Sequence, residues 1–163
     1  MFGLNKKKNL AIDFMAPLSG KIIDITEVPD EVFSKKMVGD GIAIEPTCGL
    51  VVSPCNGTVT MIFNTNHAVA IKTKDGLDIL IHLGIDTVEL KGEGFKRLTE
   101  VGKEVSTGDV LIEMDLDKIK SMGKHTVTPV IITNSNMVEE IDKKFGMAEA
   151  IKDKIMKIKL KKP

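Results

Sequence analysis

The stretch AVAIKTKDGLDILIHL, residues 68–83, consists of two apolar runs on either side of one turn. In the second run Ile79, Ile81 and Leu83 alternate with Leu80 and His82. A period of two is the strand period, because successive side chains of a strand point to opposite faces. Asp75-Gly76 between the runs is a hairpin signal, since these residues accept the left-handed backbone of a tight turn. A turn centred there pairs residues whose numbers add up to roughly 150. His67, just before the first run, and His82 fall close to that sum. The hairpin therefore brings the two histidines into cross-strand or diagonal contact.

The same pattern extends outward. Short alternating runs occur at 21–28, 57–63, 109–115, 128–133 and 155–160. Ser19-Gly20, Asn56-Gly57 and Thr107-Gly108 bound several of them. Regular short strands with turn residues between them predict an all-β, antiparallel sandwich or barrel. The last run alternates apolar residues with lysine, as a strand with one wet face does. A few short helices are expected as well. Asp115 caps one running through Met122. Asn136 caps a second, with Glu139 three residues on and Met137, Ile141 and Phe145 at helical spacing. Residues 147–154 favour no element.

An internal repeat supports one packed unit. Residues 16–25, APLSGKIIDI, parallel residues 53–62, SPCNGTVTMI. Gly41–Ile44 is then mirrored by Ala68–Ile71. The first copy is longer, and residues 27–37 supply the excess. Such a strand–turn–strand unit buries no face alone, so the two copies are expected to pack together.

The 163 residues fit one domain, taken as 13–163 after a flexible tail at 1–12. In that tail Phe2, Leu4 and Leu10 surround three lysines, which allows at most a weak membrane-surface contact. Lys+Arg and Asp+Glu both number 23, so no net positive field draws the chain to nucleic acid. Cys48 and Cys55 form no CxxC and read as reduced, partly buried thiols. No apolar run reaches the ~20 residues of a membrane span. The N-terminus lacks a signal-peptide pattern, so a cytoplasmic, free-standing monomer is expected.

The chemistry rests on three histidines, His67, His82 and His125. His125 reads as a solvated loop residue. His82 lies in an aliphatic strand, where an imidazole is either a core group bonded to a backbone carbonyl or a reactive one. His67 shares a strand face with Thr65 and Val69 in this reading, so a hydroxyl flanks its ring. The pair admits three chemistries. It can ligate a metal such as zinc, but two ligands need an acidic residue or an outside group to complete the shell. It can act as acid and base in hydrolysis, but no GxSxG or HExxH accompanies it. Or one ring accepts a phosphoryl group while the other holds the phosphate. Lipoyl- or biotinyl-type carriers are disfavoured, since neither a Met-Lys-Met nor an Asp-Lys-Ala tip is present.

At these residues the chain resembles a known family. TNHA (65–68) and IHLGIDTVELKGEGF (81–95) resemble the signature of glucose-type enzyme IIA, the phosphocarrier of the bacterial phosphoenolpyruvate-dependent sugar phosphotransferase system. APLSG (16–20), VGDGIAI (38–44), 102–112 and 116–131 share the likeness, which spans about Ala16 to Asn134. The segment from Met137 onward matches less closely. The resemblance implies an antiparallel β-sandwich, the duplicated hybrid motif. It implies that His82 takes a phosphoryl group from the phosphocarrier HPr and passes it to a cysteine of the enzyme IIB domain of a glucose-type permease. His67 would bind the phosphate, Thr65 would orient His67, and Asp86 would sit at the rim. Phe33, Val38, Ile42, Phe63 and Leu80 resemble the apolar docking rim. The alternative is a regulatory binding module in which His67 and His82 share zinc with a partner's carboxylate.

Overall fold

The structure, a computed structural model, describes residues 11–162. The strands are β1 (Ala11–Met15), β2 (Gly20–Asp24), β3 (Asp40–Pro46), β4 (Leu50–Val52), β5 (Gly57–Ile62), β6 (Ala68–Lys72) and β7 (Asp78–His82). They continue as β8 (Phe95–Arg97), β9 (Glu104–Val105), β10 (Val110–Met114), β11 (Thr128–Ile132), β12 (Val138–Lys143), β13 (Gly146–Ala148) and β14 (Lys154–Leu160). Two short helices, α1 (Glu31–Ser34) and α2 (Leu116–Ser121), interrupt them. Asp115 caps α2 by accepting from the Lys118 N–H, and Met122 closes it, as the sequence predicts.

The strands form three antiparallel sheets. The largest has the order β13-β2-β3-β11-β7-β6-β5-β9, and the smaller ones are β1-β14-β12 and β4-β10-β8. None closes on itself, so the expected sandwich-or-barrel resolves to an antiparallel β-sandwich. The two sequence repeats become the β2–β3 and β5–β6 hairpins. Each occupies the second and third places from its own end of the large sheet.

Alternation assigns the two faces of that sheet. Ile22, Ile42, Ile44, Ile79, Ile81, Val130 and Ile132 point inward and pack with Phe14, Leu111, Met156 and Ile158 of the smaller sheets in one cluster. Burying each such side chain contributes about 1.5–3 kcal/mol. The outer face carries a second cluster, in which Ile23, Ala43 and Ile131 are covered by Ile25, Val28 and Phe33 from the loop between β2 and β3. That loop is the extra length of the first repeat. It holds a 3-10 turn at Ile25–Glu27 and α1.

Several expectations are corrected. Residues 136–145 are not a helix. A 3-10 turn at Ser135–Met137 leads into β12, which pairs with β14. An N-cap is worth about 1 kcal/mol. The strand instead gains a ladder with β14 and packs Val138 and Ile141 on the main cluster. Asn134, not Asn136, makes the local polar contacts. Its Oδ1 accepts from Asp78 N–H at 2.8 Å and its Nδ2 donates to Gly76 O at 2.8 Å, tying down the hairpin turn. Of the expected flexible tail, residues 1–10 lie outside the described residues, whereas Ala11 and Ile12 pair with Lys159 and Ile158 in β1. Cys48 is exposed rather than partly buried; Cys55 is buried and both are free. Ile42 is fully buried and belongs to the core, not to a rim.

Candidate active site

The β6–β7 hairpin has the register the sequence predicts. Ala68 stands opposite His82 and Val69 opposite Ile81. His67 sits one residue before the ladder, and its carbonyl accepts from the Leu83 N–H at 2.7 Å. The diagonal contact follows: the rings of His67 and His82 meet edge to face, centroids 5.2 Å apart. Along β7, Ile79 and Ile81 go to the core while Leu80 and His82 remain half-buried on the outer face.

Thr65 reaches His67 by a route the strand reading does not give. Residues 64–67 form a turn after β5, with Asn66 in the left-handed region at φ +59. The turn folds the Thr65 hydroxyl back to 2.5 Å from His67 Nδ1. His82 Nδ1 donates to Gly84 O at 2.7 Å. Gly84 lies at φ +82, and a Cβ there would stand 2.6 Å from Thr87 Cγ2 and 2.8 Å from His125 O. Only glycine fits this corner, which aims the carbonyl at the ring. Both Nδ1 atoms are thus engaged, and neither Nε2 has a partner among the described residues.

Aromatic walls flank the pair. Phe33 of α1 packs on His82 at 5.0 Å, and Phe63 meets His67 edge-on at 5.0 Å. Phe33 is itself buried; Phe63 is half-buried beside His67, and Val38 and Leu80 are half-buried against the outer cluster. A shallow groove of about 390 Å³, lined by Met61, Phe63, Ala70 and Leu80, continues along the same face. A larger cleft of about 650 Å³ lies against α2 near Cys48 and contains no histidine. His125 is exposed, and only its backbone approaches the site, bridging to Ile85.

Burial depresses both rings. It lowers His67 to about 4, with the neighbouring His82 adding to the effect. Burial also lowers His82, while the Gly84 carbonyl and the carboxylates of Asp30 and Asp86 oppose it. Asp86 is exposed at φ +57, at the entry to a 3-10 turn over Thr87–Leu90. Asp30 is a site residue that the sequence reading missed. It caps α1 through Val32 N–H at 2.8 Å. Its signal was an N-cap aspartate ahead of Val32-Phe33 inside the extra length of the repeat. No three His, Cys, Asp or Glu side chains gather at one point among the described residues, so His67 and His82 would offer a metal two ligands at most.

Comparison with known proteins places the chain in a family. The sequence profile of the family described as phosphoenolpyruvate-dependent sugar phosphotransferase system, EIIA 1, matches residues 12–138. The chain is 44% identical over 162 residues to the glucose-specific EIIA component of the phosphotransferase system of Bacillus cereus, covering 99% of this chain and 98% of that one. It is 42% identical over 159 residues to the protein of the same name from Haemophilus influenzae, covering 98% and 96%. In three dimensions it resembles the glucose permease IIA from Mycoplasma capricolum with a TM-score of 0.81 and 36% identity, covering 93% of this chain and 96% of that one. Family profile, full-length relatives and fold converge, and the chain belongs to the glucose-type EIIA family of the phosphoenolpyruvate-dependent sugar phosphotransferase system.

Proposed function

We propose that the protein relays a phosphoryl group on His82 Nε2, taking it from HPr and passing it to a cysteine of the enzyme IIB domain of a glucose-type permease, in the cytoplasm. One observation carries the reading: two adjacent rings whose Nδ1 atoms are both engaged and whose Nε2 atoms have no partner among the described residues. A carbonyl can only accept, so the proton of neutral His82 is on Nδ1 and its lone pair is on Nε2. His67, held near 4, is neutral at pH 7. With the Thr65 hydroxyl donating to its Nδ1, His67 carries its proton on Nε2 and donates to the phosphate.

Phosphoryl transfer asks the protein mainly for position and charge. The His82 lone pair forms the N–P bond as the donor's bond to phosphorus breaks. The ring keeps its Nδ1 proton and becomes cationic, a charge offset by Gly84 O and by the carboxylates of Asp30 and Asp86. When an acceptor thiolate forms the S–P bond, the N–P bond breaks and the neutral ring is restored. No proton moves in either step. Val38, Phe63 and Leu80 would form the apolar rim on which both partners dock, with Asp86 at its edge.

The test is intact-mass analysis after incubation with phosphoenolpyruvate, enzyme I and HPr. Wild type should gain an acid-labile phosphoryl group and His82→Gln should gain none. His67→Gln should accept the group and pass it to IIB poorly. A wild type that gains nothing from a demonstrably active donor sinks the relay. Zinc titration would then test the second use of the Nε2 atoms, as two ligands to a zinc ion completed by a partner's carboxylate.

A further inference from the structure

The loop that lays Phe33 on His82 is anchored at both ends by one distant side chain. Asp24 is the last residue of β2 and Asp40 the first of β3, so the two mark the neck of the loop. Asp24 stands opposite Ile42, which places Asp40 on its diagonal. Two carboxylates at that spacing repel each other. Lys143, at the end of β12, sits between them, its Nζ 2.7 Å from Asp24 Oδ1 and 2.9 Å from Asp40 Oδ1. The Lys143 side chain is only 14% exposed, whereas the lysines of the other ion pairs at this neck and in α1, Lys36 and Lys35, are 45% and 63% exposed. A screened surface pair is worth little, but a sheltered charge-assisted hydrogen bond is stronger and its loss leaves charges stranded.

Both acids also organise the loop itself. Asp24 Oδ2 accepts from the N–H and hydroxyl of Thr26 and so starts the 3-10 turn. Asp40 Oδ1 accepts from Gly41 N–H, and its Oδ2 meets Lys36. Burial raises the Asp24 carboxyl, yet Lys143 and Thr26 outweigh it and hold it at about 2. The loop also carries Asp30, whose negative charge favours the protonated form of His82, and Phe33, which packs on that ring.

We propose that Lys143 is a positioning residue for the histidine pair: it clamps Asp24 to Asp40 and so fixes the 25–39 loop that holds Phe33 against His82. It touches no reacting atom and acts through the loop. Its relevance to phosphoryl transfer rests on the function proposed above, but the contact it controls is measurable without any partner.

The experiment is NMR on the full chain with Lys143→Met, Lys143→Arg and Phe33→Ala. Lys143→Met should lose the Phe33–His82 ring cross-peaks and move the His82 ring signals toward those of Phe33→Ala. His125 should stay unmoved, and Lys143→Arg should restore both features. A folded Lys143→Met with wild-type cross-peaks and His82 shifts overturns the proposal. If Lys143→Met does not fold, Asp40→Asn decides, with the same shift expected in weaker form; unchanged His82 signals there overturn it equally. In a second arm, steady-state phosphorylation by phospho-HPr should show a several-fold rise in KM with a smaller change in kcat. A null relay with the cross-peaks lost would count against the proposed function and not against the clamp.

Discussion

The Thr65 hydroxyl engages His67 Nδ1, and in the proposed relay this contact sets which nitrogen of that ring would face the phosphate. Thr65→Val keeps the shape and removes the donor, which frees His67 to place its proton on Nδ1. Phosphoryl transfer to the IIB cysteine should slow about tenfold, the equivalent of one hydrogen bond of ~1.4 kcal/mol, in a single-turnover quench assay. A rate unchanged within error would show that Thr65 does not orient the ring. Burial of His67 makes a separate prediction: its ring signals should titrate with a midpoint near 4 by NMR, and a midpoint at the ordinary histidine value would contradict the buried geometry. Gly84→Ala puts a methyl against Thr87 and the His125 carbonyl at a positive φ. We expect a loss of at least about 2 kcal/mol in urea unfolding, with the His82 signals displaced as its acceptor moves.

At the scale of elements, the hairpin from β6 to β7 needs little beyond its own residues, because the Asp75-Gly76 turn and the alternation on either side specify one register. The C-terminal elements differ. Residues 136–145 carry helical spacing and capping residues, yet 138–143 form β12 because β14, already paired with β1 on its other side, offers them a ladder. Ile158 sits at the middle of this three-stranded sheet, fully buried, paired with Ile12 and Ile141. Ile158→Ala should cost about 3 kcal/mol from lost transfer energy plus the cavity left behind, read as a lower denaturant midpoint at constant slope. A loss below 1 kcal/mol would mean that the sheet collapses around the gap or is marginal to the core.

The whole molecule should lose stability in two steps as the solution is acidified. His67 has a folded value near 4 against an ordinary value of 6.5, so the unfolded chain takes up its proton first. Its contribution is complete above pH 6.5 and is lost as the pH falls toward 4, by roughly 3 kcal/mol at most. His82, lowered in the same direction, adds to this step. Asp24, held near 2, contributes fully above its ordinary value of 3.8 and loses that contribution as the pH falls from there through 2. Urea unfolding from pH 8 to 3 should therefore show a decline beginning near 6.5, and His67→Gln should flatten it. A profile level to pH 4 in the wild type would refute the buried neutral pair.

Strands β2, β3, β5, β6, β7, β10, β11 and β14, the turn at Asp75-Gly76, the cap at Asp115 and the pairing of His67 with His82 were legible in the sequence, because each depends on residues close together along the chain or on one period of alternation. The repeat announced two equivalent hairpins for the same reason. Tertiary structure alone decided the rest. It made a strand of 138–143 by supplying β14, and it turned Thr65 toward His67 through a left-handed Asn66 rather than along a strand. It sent Ile42 into the core and brought Asp30, Phe33 and Lys143 to bear on one histidine and its loop. Local propensities amount to a kilocalorie or less per residue. Where burial and charge pairing between distant segments exceed that, the amino-acid pattern of one segment cannot state the outcome.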